Sequence, residues 1–318
     1  MTRHPSPVLS IVIPTYNGKA LVAGCLNSIE WCAPRGLPIE VIVVDDASTD
    51  GTTPWLRENY SWVRVERLEA NGGFCRAANL GIAAARGTVI QLLNNDTEVC
   101  SGWANAALRH FENPSVGSVA PLVLRQDDPR RVDSAGDGYW FFGLPFKRGS
   151  GQSADQWAAA PAGDVLGASG SSAFYRAAAL KKLGGFDPEF GSYYEDVDLA
   201  FRLRWNGYTC IYEPKCKILH QVSASYDHAS DSLQRRMARN SELIFWRRLP
   251  PLWLAIAIVP HLGFLAAQCV HRWRHRRLRP FLQGKCDAAR VLLRPPARRA
   301  NPILRGPHLP LSVLSRNH

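Results

Sequence analysis

The chain has 318 residues, 46% hydrophobic and 20% charged, which suits a globular core and excludes a disordered chain. Its net charge of +11 is uneven: residues 229–318 carry 17 Lys/Arg and 3 Asp/Glu, a balance of +14, so the rest carries 11 − 14 = −3. A mildly acidic body argues against a nucleic-acid groove, whereas the basic tail suits an anionic surface.

In chain order, Leu9 to Ile13 is predicted as a strand stopped by Pro14, and Ala20 to Trp31 as a helix. Ile39 to Val44 and Val63 to Leu68 are further strands, separated by the turn Ser48-Thr49-Asp50-Gly51 and a helix. After Asn71-Gly72-Gly73, an Ala-rich helix from Phe74 to Arg86 is expected to close at Gly87. Thr88 to Leu93 and Val116 to Leu124 are strands, and the βα alternation predicts a doubly wound α/β layer. Residues 125–164, rich in Gly, Asp, Pro and aromatics, read as an irregular lid or acceptor loop. Order returns with Val165 to Ser169 and Ser172 to Tyr175. Helices follow over Arg176 to Leu183 and Glu195 to Trp205, then short strands over Thr209 to Tyr212 and Lys217 to Leu219.

A basic helix over Ser232 to Arg248 opens the tail, so the domains divide as 1–228 and 229–318. Leu252 to Val270 is nearly uncharged and long enough to cross a bilayer, but it contains Pro260, His261 and Gln268 and has basic clusters at both ends. A helix lying in the membrane interface, or re-entrant, fits this pattern best, ahead of a true span or a soluble packing helix. Removing the residues after Ala229 is then expected to release the chain from anionic liposomes. Eight cysteines without a CxxC pair indicate free thiols rather than a zinc site. The first apolar run, Val8 to Ile13, is too short for a secretory signal.

The chemistry gathers where apolar runs end in acid. Val44 is followed by Asp45-Asp46, Leu93 by Asn94-Asn95-Asp96, and Glu195-Asp196-Val197-Asp198 opens a helix. Ligands of open parallel sheets bind just beyond the carboxyl ends of the strands. Carboxylates gathered there repel one another and call for a cation, as in a metal-diphosphate site. Asp198 and Arg202, four apart, can pair on one helix face, leaving Asp196 to point elsewhere. Glu195 could favour the helix N-terminus through the dipole. Gly167-Ala168-Ser169-Gly170 offers small side chains either to a sugar or to close packing, and Trp140 with Phe141-Phe142 either to a sugar or to the core.

The ordered set Ile11-Val12-Ile13-Pro14-Thr15-Tyr16-Asn17-Gly18, Val43-Val44-Asp45-Asp46-Ala47-Ser48-Thr49-Asp50-Gly51-Thr52, Asn71-Gly72-Gly73-Phe74, Leu93-Asn94-Asn95-Asp96-Thr97, Gly184-Gly185-Phe186-Asp187 and Glu195-Asp196-Val197-Asp198-Leu199 resembles the family 2 glycosyltransferases, most of all their rhamnosyltransferase-like branch. The resemblance covers roughly the first 220 residues. It implies the GT-A fold, a mixed and mainly parallel sheet with flanking helices, here followed by the basic helical tail. It also implies inverting sugar transfer from a nucleotide-diphospho-sugar to a glycan or lipid-linked acceptor, in envelope polysaccharide synthesis at the cytoplasmic membrane face. Asp196 corresponds to the family's catalytic base. Pro14, Tyr16, Asp45, Asp46, Gly73, Arg76 and Asn95 correspond to donor-binding positions. Asp96 and His220 correspond to ligands of a divalent metal, Mn²⁺ or Mg²⁺. Trp140, Gly167, Ser169 and Glu195 are candidates for the acceptor or sugar. Asn94 replaces the first acid of the family's DXD motif, which lowers the charge of the metal site. The expected partners are the donor, the acceptor and an anionic membrane surface, with no nucleic acid; a homo-oligomer is compatible. Two alternatives stay open: a nucleotidyltransferase, disfavoured by the lack of a basic Gly-rich loop after the first strand, and a catalytically silent nucleotide-sugar-binding scaffold.

Overall fold

The computed structural model describes residues 7–222 and 230–294; the expectations for the 228/229 boundary and for the tail beyond 294 lie outside the described residues. In chain order the elements are β1 (Leu9–Thr15), α1 (Lys19–Cys32), β2 (Ile39–Asp45), α2 (Thr52–Asn59), β3 (Arg64–Arg67), α3 (Phe74–Ala84), β4 (Val89–Leu93), β5 (Thr97–Val99), α4 (Trp103–Leu108) and β6 (Val116–Arg125). Then come β7 (Val132–Ser134), β8 (Asp137–Trp140), β9 (Leu144–Lys147), α5 (Ala154–Ala159), β10 (Gly163–Val165), β11 (Ser172–Arg176), α6 (Ala177–Lys182), α7 (Glu195–Trp205) and β12 (Thr209–His220). Three helices close the described chain: α8 (Asp231–Arg248), α9 (Pro251–Arg274) and α10 (Leu278–Leu292).

The main sheet runs β10-β12-β6-β11-β4-β1-β2-β3, with β5 on β12 and β7 on β6. The half built from β4, β1, β2 and β3 is parallel, and β11 enters antiparallel between β4 and β6. Ile11-Val12-Ile13 and Val41 to Val44 are buried on both faces, as parallel strands covered by helices on each side must be. One apolar cluster joins α3, α6, α7 and α8 to one face, and another joins α1 and α4 to the opposite face.

Register sets the site. Thr15 lies opposite Asp45, and Ser172 opposite Leu93, so the ends of β1, β2 and β4 meet the start of β11 at one sheet edge. The last residue of β12, His220, lies opposite Thr97 of β5 and therefore beside the Asn94–Asp96 turn.

Several expectations change. Pro14 does not stop β1, because β4 pairs with β1 only as far as Val12 and the proline lies beyond that ladder. Gly87 does not cap α3; the helix ends at Ala84 and Ala85 is extended. The two short strands after Gly207 are one strand, β12, with a register irregularity between Glu213 and Lys217. Residues 125–164 are not irregular: β7 extends the main sheet, β8 and β9 form a hairpin, and α5 and β10 follow. Their short strands escaped a search for long apolar runs because glycines, aspartates and aromatics alternate in them. All eight cysteines are free of disulfides; Cys25, Cys75, Cys210 and Cys216 are buried, and Cys286 is exposed.

Candidate active site

A cleft of about 790 Å³ opens at that sheet edge, and Pro14, Tyr16, Asp46, Gly73, Asn95, Asp96, Ser169, Glu195, Asp196 and His220 line it. Those stretches, distant in the chain, share one pocket. Asp45, Arg76, Trp140 and Gly167 do not line it.

The first wall comes from the ends of β1 and β2. Tyr16 stands half exposed at the mouth. Asp46 is buried and accepts Gly72 N–H at 2.6 Å and Gly73 N–H at 2.9 Å, so it holds the loop before α3 in place. Gly73 sits at φ +76°, a conformation open mainly to glycine. Asp45 is fully enclosed and accepts from Ser48 N–H at 2.8 Å, the Thr53 hydroxyl and the Arg67 guanidinium. That carboxylate braces the β2–α2 turn, which is why it is absent from the cleft. Arg76 is exposed on the first turn of α3.

The floor is the turn after β4. Asn95 donates through Nδ2 to Thr15 Oγ1 at 2.9 Å, and the Asn94 N–H donates to Ser171 O at 2.9 Å. Asp96 is nearly buried, with Oδ1 lying 3.4 Å from His220 Nε2. His220 Nδ1 lies 2.9 Å from Asp133 Oδ2, and Lys147 Nζ completes the chain by donating to the same oxygen at 2.9 Å. Burial disfavours the imidazolium, but hydrogen bonds and charge from Asp133 and Asp96 outweigh it and push His220 up to about 9. Any cation bound at Nε2 must displace that proton. The sequence reading missed Asp133 and Lys147, which lie in the segment taken for a loop.

The third wall is the start of α7. Asp196 Oδ2 accepts Gly170 N–H at 2.8 Å, and Oδ1 accepts Val197 N–H at 2.8 Å. Burial raises the Asp196 carboxyl above its ordinary value, and those two N–H donors hold it back. Glu195 lies beside it, and burial with the Asp196 charge drives the Glu195 carboxyl well up. Asp198 points away into the core, pairing with Arg202 Nε at 2.8 Å as its spacing predicts, and also with Arg248 Nε of α8 at 2.5 Å. Tyr193 and Tyr194 both adopt left-handed backbone just before this helix. Such geometry persists only where surroundings enforce it; Asn240 of α8 does so, donating to Phe190 O, Ser192 O and Tyr193 O.

The remaining candidates separate. Ser169 lines the cleft, with its hydroxyl 3.3 Å from that of Ser171. Gly167 serves close packing, since a Cβ there would lie 2.4 Å from that of Ala200. Trp140 stacks on Phe142 at 5.9 Å and packs on Phe146, while Phe142 meets Phe264 of α9 at 5.0 Å, so these rings anchor the hairpin tip. Cleft residues absent from the sequence reading include Asp137, Lys147, Arg236 and Met237. The last two stand on α8, which the charge pattern had assigned to a membrane tail.

Comparison with known proteins shows the family and the fold. The profile described as "Glycosyl transferase family 2" matches residues 10–184, more than half of the chain. The chain is similar to the N-acetylglucosaminyl-diphospho-decaprenol L-rhamnosyltransferase of Mycobacterium tuberculosis, 28% identical over 309 residues that cover 86% of this chain and 97% of that protein. Its fold is shared with the mannosyltransferase PcManGT from Pyrobaculum calidifontis, solved with GDP-Man and Mn²⁺, at a TM-score of 0.55 and 20% identity, covering 90% of this chain and 88% of that one. It is also shared with GalNAc-T7, solved with UDP, GalNAc and Mn²⁺, at a TM-score of 0.58 and 16% identity, covering 76% of this chain and 48% of that one.

Proposed function

Because the chain belongs to glycosyl transferase family 2, we propose that it moves a sugar, with inversion, from a nucleotide-diphospho-sugar to a hydroxyl of a glycan or lipid-linked acceptor. The observation that carries this reading is the convergence of Asp46, Asp96, His220 and Asp196 on one cleft. Tyr16, at the mouth, offers a ring for the nucleotide base to stack on. Asp46 has carboxylate lone pairs left beside its two loop bonds to receive a base N–H. Asp196 is the base: it takes the acceptor proton as the acceptor oxygen bonds to the anomeric carbon, and the diphosphate leaves from the opposite face with the electron pair of the broken C–O bond.

The residues present fit a divalent ion. Asp96 and His220 point one carboxylate and one imidazole into the cleft, and Asp133 orients the ring from behind as the partners of ligating histidines do. An imidazole suits Mn²⁺ better than Mg²⁺. Among the described residues no group of three or more His, Cys, Asp or Glu is arranged to hold an ion, so donor phosphate and water would complete the shell. When bound, the ion supplies Lewis-acid neutralisation of the leaving diphosphate.

The rhamnosyl-like resemblance and the mycobacterial relative support a deoxyhexosyl donor and an envelope acceptor. The exposed apolar side chains of α9 support attachment to a membrane surface. The deciding experiment is Asp196→Asn assayed by nucleotide release. Turnover is expected to fall by about 10²- to 10⁴-fold with donor affinity unchanged, and turnover at the wild-type rate refutes the assignment.

A further inference from the structure

Asp137 opens β8 and is held by its backbone, whose N–H donates to Gly167 O at 2.8 Å. Its side chain lines the cleft and only 3% of the residue is exposed, yet Oδ2 has no hydrogen-bond partner among the described residues. Glu195 Oε2, in a residue 6% exposed, is also unpartnered. Buried oxygens of this kind are costly unless a ligand satisfies them.

Asp137 shares the cleft with Asp196 and Glu195 of α7 and Lys147 of β9, and it interacts electrostatically with Asp196, Glu195, Lys147, Asp133 of β7, Tyr175 of β11 and Cys210 of β12. Lys147 is engaged by Asp133. Neighbouring buried carboxyls without a dedicated cation do not all ionise together. Backbone donors decide where the charge rests. Asp196 receives two N–H groups, whereas Asp137 Oδ2 receives none. That difference favours the charge on Asp196 and a proton on Asp137. Burial and the Asp196 charge push the Asp137 carboxyl well up, in agreement.

We propose that Asp137 is a substrate-binding residue of the acceptor subsite, whose protonated carboxyl donates to an acceptor oxygen adjacent to the hydroxyl that Asp196 deprotonates. The acceptor is then read as a neighbouring pair of oxygens, as a sugar ring presents, and not as a lone alcohol. Asp137 keeps its proton throughout the transfer. This rests on the glycosyl-transfer reading and names the acceptor class for it.

The test combines infrared spectroscopy with kinetics on the full chain. At neutral pH the wild-type protein should show the carbonyl stretch of protonated carboxyls, reduced in Asp137→Asn. If that variant does not fold, Glu195→Gln stands in for it: part of the band must survive, and complete loss overturns the proposal. Kinetics use UDP-, GDP- and dTDP-sugars with p-nitrophenyl glycosides as acceptors. Asp137→Asn, which retains a donor, should transfer within about tenfold of wild type and lose any alkaline fall in rate, while Asp137→Ala should drop about 100-fold. A band unchanged in Asp137→Asn, or Asn and Ala variants equally impaired, overturns the proposal. Absence of nucleotide release from the wild type would instead strike the glycosyl-transfer reading, with the infrared band still locating the proton.

Discussion

Arg248, the last residue of α8, meets Asp198 of the acidic α7 turn at 2.5 Å, and both side chains are almost wholly enclosed. Asp198 stands two residues beyond Asp196, so a helix from the basic C-terminal part of the chain locks the turn that carries the proposed base. Arg202 occupies the other Asp198 oxygen and also donates to Leu183 O and Gly185 O. Removing Arg248 leaves a buried carboxylate with one cation. Arg248→Ala should lower unfolding free energy by about 3 kcal/mol in a denaturant titration. Arg248→Lys should recover only part of it, because an ammonium cannot reproduce the guanidinium fork. A stability change below about 0.5 kcal/mol in the alanine variant would show that the pair holds nothing together.

Asp133 touches no expected ligand position other than His220, yet it sets the ring's orientation. Asp133→Asn should weaken Mn²⁺ binding about 10- to 100-fold in a calorimetric titration. His220→Ala should weaken it at least as much. Equal Mn²⁺ affinity in wild type and both variants would remove His220 from the metal site.

Asp46 ties the Gly72-Gly73 backbone to β2 through two charge-assisted bonds. Asp46→Ala releases that loop and deletes a cleft carboxylate together. Donor affinity should fall by about 10- to 100-fold, from one or two lost bonds of this kind. Binding of the free nucleotide should weaken in parallel, which isothermal titration can check.

Glu242 of α8 joins the last helices through Lys285 Nζ at 2.7 Å and His261 Nε2 at 3.3 Å. Burial works against its charge, but His261 and Lys285 outweigh it and hold the carboxyl at about 2. A carboxyl depressed in the folded state stabilises fully above its unfolded value, about 4.3. That stabilisation is lost as pH falls through about 2. Burial also lowers Lys285 from its ordinary value, which offsets part of the gain. A contribution on the order of 2 kcal/mol remains. The melting temperature of wild type should fall more steeply between pH 4.5 and 2 than that of Glu242→Gln; parallel curves would contradict the linkage.

Leu252, Ile256, Val259, Leu262, Val270 and Trp273 form an exposed apolar stripe along α9. Truncation after Ala229 is not a clean test of membrane attachment, because it would also remove Arg236, Asn240 and Arg248 from the active-site surroundings. Replacing Leu252, Ile256 and Val259 with Ser leaves α8 intact. The variant should stay in the supernatant with anionic liposomes that pellet the wild type, since each exposed side chain contributes about 1.5–3 kcal/mol when buried in lipid. Co-sedimentation equal to wild type would dismiss α9 as the attachment.

The amino-acid order alone determined the parallel core, because β-branched runs buried on both sides are legible as strands wherever they stand. It also located the cleft's acids, Asp46, Asp96 and Asp196, since each follows an apolar run or opens a helix. Even the Asp198–Arg202 pair was readable from helical spacing. Only the tertiary structure separated Asp45 from Asp46, because adjacent residues point in opposite directions and which one met Thr53 and Arg67 depended on β3 and α2. The same holds for Asp133, Asp137 and Lys147, carried on short strands whose pairing is non-local. Arg236, Asn240 and Arg248 were hidden in a basic helix whose charge looked suited to lipid. Composition records how many charges a segment holds, whereas the partners come from elements far away in the chain, and here those partners were the Ser192 hydroxyl, three carbonyls and the Asp198 carboxylate beside the cleft.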